Sequence, residues 1–192
     1  MWAQTLSSHE YWPLQWGVVI GASLVAAATD VWRRRIPNWL TAPVLLGGLI
    51  FAGVIGRWNG LADSLAGMAL MMTPFVLLFL LAGGGAGDAK LMGALGTWLG
   101  LRNGVAALVA VCACGVLIGI VFSLARGKLR RLLHNLLMIV YGFLFNLAAR
   151  TGLRRASQAL RQPSGMDAVP YGIAIFLGVC AAAVKVMLWP SQ

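Results

Sequence analysis

Acid is scarce in this chain: five Asp and Glu in 192 residues, against fifteen Lys and Arg, for a net charge of +10. Charged residues of either sign make up 10%, far below the roughly 25% of an ordinary soluble domain. Histidine is nearly missing, and His9 and His134 offer no metal-ligand spacing. No serine is placed with either for a nucleophilic dyad. The three cysteines, Cys112, Cys114 and Cys180, lie in apolar runs and make no Cys-x-x-Cys pair. Neither a structural zinc site nor a disulfide framework is therefore indicated. The glycine-rich 83–88 stretch lacks the GxxxxGK[ST] of a phosphate loop and the GxGxxG of a dinucleotide fold. No basic stretch is interleaved with stacking aromatics, so nucleic acid is not an expected partner.

What the chain has is apolar side chain, 60% of it, with a mean hydropathy of +0.83. A water-soluble core of this length cannot bury so much. The expectation is an all-α integral membrane protein. It has a single domain over residues 1–192 and about six spans, at roughly 20 residues per crossing. Six segments qualify: Leu14–Val31, Trp39–Ile55, Leu61–Leu81, Ala89–Leu101, Val105–Leu124 and Val169–Leu188. Ala26–Ala28 resembles a cleavage site, but no Lys or Arg precedes the first run, so a signal peptide is not expected. Basic residues choose the orientation. An outer N-terminus puts Arg33–Arg35, Lys90 and the basic 126–161 insertion in the cytoplasm, facing anionic headgroups. Arg57, Arg102 and Lys185 fall on the outer side. Leu132–Ala149 is apolar enough to cross, yet crossing would carry Arg150–Arg161 outside. It reads instead as a helix in the cytoplasmic interface, with a seventh span as the alternative. GxxxG pairs at Gly17/Gly21, Gly96/Gly100 and Gly115/Gly119 suit close helix packing. Trp12, Trp16, Trp32, Trp39, Trp58, Trp98 and Trp189 suit interfacial belts.

Two of the five acids stand out. Asp30 and Asp88 each fall at the cytoplasmic end of an expected span, 58 positions apart. Two carboxyls in a poorly hydrated cavity share a proton and activate a water, and ionisable groups at membrane depth default to function. Taken singly, each has a structural reading as well. Asp30 is spaced to pair with Arg33 or Arg34, and Asp88 is placed to cap the helix it opens. Gly85 and Gly87 would permit positive φ and close backbone approach. Pro37 would stop the first hairpin from continuing as helix, with Asn38 capping the next. Lys90 would ease the charge near Asp88 or snorkel to the surface, and Pro170 would start the last helix.

The motifs resemble those of the type IV prepilin peptidases. Asp30-Val-Trp-Arg-Arg-Arg-Ile-Pro-Asn is similar to the family's first aspartate motif, and Gly85-Ala86-Gly87-Asp88-Ala89-Lys90-Leu91 to its second, GxGDxKL. Pro170-Tyr171-Gly172 resembles the late proline-aromatic-glycine. The resemblance implies an intramembrane aspartic endopeptidase with Asp30 and Asp88 as the catalytic pair. It would clip the basic leader from prepilins at the cytoplasmic face of the bacterial inner membrane, working with pilus or secretion machinery. Larger members carry a four-cysteine zinc segment and methylate the new N-terminus. This chain has no such segment, which counts against methyl transfer and against any metal or cofactor. It looks more like the short branch that serves tight-adherence (Flp-type) pili. The competing readings are an ion- or proton-coupled transporter subunit and a non-catalytic assembly factor.

Overall fold

The computed structural model describes residues 11–82, 85–125 and 171–188, which fold into four long α-helices. These are α1 (Trp12–Arg33), α2 (Asn38–Ala82), α3 (Ala86–Ala125) and α4 (Tyr171–Leu188). All four are long and apolar enough to cross a membrane. The described residues thus form an all-α bundle of membrane type. The basic 126–161 insertion, Leu132–Ala149 and Pro170 lie outside the described residues.

Each of the two longest helices is broken once. In α2 the break is at Arg57 (φ 54°, ψ −139°), and in α3 at Gly100 (φ 67°, ψ −171°). The chain doubles back at the first break, because a Cβ on Gly60 would lie 2.5 Å from the Ala52 carbonyl oxygen. The expected segments Trp39–Ile55 and Leu61–Leu81 both fall within α2, on either side of Arg57. Asp63 secures the second break. Its Oδ1 accepts the Leu101 N–H at 3.1 Å, a donor that the break removes from the helical ladder. Gly100 combines positive φ with a site where any Cβ would collide with the Asp63 carboxylate, so glycine is required there.

Side chains sort as they do in lipid. Trp16, Val19, Met71, Leu91, Met92, Leu95, Val111, Ile175 and Val179 form the buried centre. Ile50, Val54, Leu117, Val121 and Leu188 stand on the exterior. A soluble monomer would not carry so much contiguous apolar surface.

Close packing rests on few of the expected glycines. Gly96 meets Gly67 backbone to backbone, and Gly178 lies against the Val111 backbone. Gly17, Gly21 and Gly119 face nothing within 4 Å, so the Gly17/Gly21 pair packs on no helix, and of the Gly115/Gly119 pair only Gly115 meets a neighbour, the Tyr171 ring of α4. Two tryptophans also depart from the interfacial expectation. Trp16 is 1% exposed. Trp98 stacks on Phe51 at 5.3 Å and donates its Nε1–H to the Val44 carbonyl at 2.7 Å. Trp32, Trp39 and Trp58 stay on the surface.

Candidate active site

Asp30 lies in the last turn of α1. The helix stops at Arg33, and Arg34 takes the left-handed conformation (φ 50°, ψ 33°) while its N–H bonds to the Asp30 carbonyl at 2.8 Å. This left-handed cap turns the chain out of the helix. Pro37 then precedes α2, and its carbonyl accepts the Leu40 N–H at 3.2 Å. The first aspartate motif is therefore a helix end, a tight turn and a new helix start.

The second motif opens α3. Asp88 lies in the first turn, and its N–H bonds to the Gly85 carbonyl at 3.2 Å. Asp88 is the third residue of the helix, so the capping position expected for it belongs to the residue before Ala86. Gly85 and Gly87 have no positive φ. Their use is close approach. A Cβ on Gly85 would lie 2.7 Å from Asp88 Oδ2, and one on Gly87 would lie 3.1 Å from Ile36 Cβ. Ile36 of the first motif thus rests on the glycine of the second.

A second link joins the motifs. Lys90 Nζ donates to Asn38 Oδ1 at 3.1 Å. The Asn38 side chain is not capping α2, as its position suggested. Asn38 is the first residue of that helix, and its side chain reaches across to α3. Lys90 remains exposed.

The two carboxyls are half-buried and close enough for their charges to interact. Asp30 makes no ion pair with Arg33 or Arg34 among the described residues. Its Oδ2 instead accepts the Gly172 N–H at 2.9 Å, from the start of α4. Sequence reasoning marked Gly172 as a motif residue without a role. Its neighbour Tyr171 is close enough to Asp88 for electrostatic interaction. The ends of α1, α3 and α4 therefore meet at one place. Pro170 lies just outside the described residues. Among the described residues, no cluster of three or more His, Cys, Asp or Glu could hold a metal.

A cavity of about 430 Å³ occurs elsewhere, lined by Tyr11, Arg57, Asp63, Trp98, Gly100 and Asn103. It contains neither Asp30 nor Asp88. Gly100 follows Asp88 by 12 positions along α3, or about 18 Å at 1.5 Å per residue, so this cavity belongs to the opposite end of the bundle.

Comparison with known proteins agrees with the motifs. A proteins-named "Prepilin leader peptidase/N-methyltransferase" from Aeromonas salmonicida (strain A449) is 33% identical over 107 residues, 53% of this chain and 35% of that protein. A protein of the same name from Klebsiella pneumoniae is 33% identical over 95 residues, covering 46% and 42%. One from Neisseria gonorrhoeae is 28% identical over 124 residues, covering 61% and 43%. The chain thus spans less than half the length of these relatives. No solved structure matches it. The model of the type IV leader peptidase family matches residues 17–124, a stretch that holds both aspartate motifs and more than half of the chain, and the chain belongs to that family.

Proposed function

We propose that the protein is an intramembrane aspartic endopeptidase that removes the basic leader of type IV, Flp-like prepilins. The observation that carries this reading is that Asp30, at the end of α1, and Asp88, at the start of α3, are both half-buried and lie within range of each other's charge. Two such carboxyls hold one proton between them. The ionised one takes a proton from water as the oxygen attacks the scissile carbonyl, and the protonated one gives its proton to the carbonyl oxygen. Collapse of the tetrahedral species breaks the C–N bond, and the proton taken from water passes to the leaving amine. The substrate would be a short basic leader followed by an apolar helix that lies in the bilayer beside the enzyme.

The proposed topology counts the limbs of α2 and α3 separately across the breaks at Arg57 and Gly100, giving six crossings with α1 and α4. The N-terminus is then outside, and both aspartates face the cytoplasm of the bacterial inner membrane. The basic residues support this through the preference of Lys and Arg for cytoplasmic loops. The relatives are also named methyltransferases. The three scattered cysteines of this sequence make no four-cysteine zinc segment, which counts against methyl transfer.

The test is cleavage of a synthetic leader–helix peptide by the purified chain in proteoliposomes. Asp30→Asn and Asp88→Asn should each abolish cleavage while the protein still inserts and accumulates. Substantial activity in either variant would sink the paired-carboxyl mechanism. Hydrolysis should also continue in the presence of chelator. A loss reversed by a divalent cation would point to the carboxylates holding a metal.

A further inference from the structure

We infer that Gly172 is a positioning residue for Asp30, acting through its backbone N–H; this rests on the peptidase reading above. The Gly172 N–H reaches Asp30 Oδ2 at 2.9 Å, between residues 142 positions apart. The first amides of any helix lack partners within it, and α4 gives one of them to the carboxyl. Oδ2 is thereby held, which leaves Oδ1 to work with water and Asp88.

Three contacts make this hydrogen bond depend on glycine and on a fixed start of α4. A Cβ on Gly172 would lie 2.9 Å from Asp30 Cβ and 3.1 Å from both Ala27 Cα and Asp30 Oδ2. Any side chain would therefore lever α4 away from α1 and break the bond. On one side Tyr171 meets Phe75 of α2 edge to face, with ring centroids 6.2 Å apart. On the other, its hydroxyl lies over Gly115 of α3, where a Cβ would come within 2.7 Å. The Tyr171 ring is thus wedged between two helices, and the next amide inherits its direction. Donors held rigidly by their surroundings orient a reacting group without reorganising during the reaction. Displacing a catalytic group by about 1 Å costs on the order of 100-fold in rate.

The experiment separates the N–H from the space it occupies. Gly172→Ala adds a methyl group, whereas glycolic acid at position 172, introduced by cell-free translation, replaces the N–H with an ester oxygen and adds no bulk. In the full chain in proteoliposomes, the ester variant should lose about 10- to 100-fold in kcat with KM within about twofold, because substrate binding is untouched. Gly172→Ala should lose at least as much. A wild-type kcat in the ester variant would overturn the positioning role. A second readout needs no activity. In nanodiscs with ¹⁵N-glycine label, the Gly172 amide resonance should move in Asp30→Ala and stay in place in Lys90→Met. An unchanged resonance in Asp30→Ala would overturn the hydrogen bond itself. If wild type does not cleave the peptide while the resonance responds, the peptidase reading fails and the positioning role falls with it, but the Asp30–Gly172 bond stands.

Discussion

At the scale of single residues, the two motifs work as one unit because small contacts tie them together. Ile36 lies on Gly87, and Lys90 reaches Asn38. The second contact is exposed, so its net worth is about 1 kcal/mol or less. Lys90→Met and Asn38→Ala should each lower kcat/KM by no more than about fivefold. The double variant should be no worse than either single one, which a double-mutant cycle on leader cleavage would check. A much larger loss from Lys90→Met alone would mean that the ammonium serves the substrate directly. For Gly85 and Gly87 the sequence suggested positive φ and close approach; neither has positive φ, and which neighbours approach them was not legible. Positive φ is a property of the residue itself, whereas a neighbour's approach depends on where a separate helix comes to lie.

At the scale of elements, glycines with the same spacing have different consequences. Gly67 and Gly96 let α2 and α3 touch through their backbones, and a Cβ on either would lie 2.5 Å from a carbonyl oxygen of the other helix. Gly67→Ala and Gly96→Ala should each destabilise the bundle by about 1–3 kcal/mol through overpacking. Gly17→Ala meets open space and should be neutral or slightly stabilising, since it raises helix propensity. Reversible unfolding of the three variants in mixed detergent would rank them. The apolar helical character was legible, because hydropathy over about 20 residues marks a segment long enough to cross; that the expected segments fall in four helices, two of them broken, was not. Nor were the polar contacts between them. The buried Ser64 hydroxyl donates to the Thr97 carbonyl at 2.7 Å, and Trp98 is tied to Val44 across 54 positions. Nothing local marks these residues, since a serine or tryptophan in an apolar run looks the same whether it faces a helix or lipid. Asp63 has no motif around it to mark it, yet it satisfies the amide freed at the Gly100 break.

At the scale of the whole molecule, the proposed topology puts the Arg57 and Gly100 breaks on the opposite face from the two aspartates. In a chain whose own cysteines are replaced by alanine, a cysteine at Asn59 should react with an impermeant reagent added outside intact cells. One near Arg155 should resist it. Ready labelling near Arg155 would restore the seventh span and move α4. The bond between Asp30 and Gly172 has one more consequence, for the timing of synthesis. Asp30 leaves the ribosome 142 positions before its partner, a delay on the order of 10 s at ordinary elongation rates. During that interval α1 and α3 can already be in the bilayer with both acids in place, but the amide that orients Asp30 does not yet exist. On the proposed function, leader cleavage would therefore reach its full rate only as the last helix docks, and an unfinished chain would leave the leaders around it uncut.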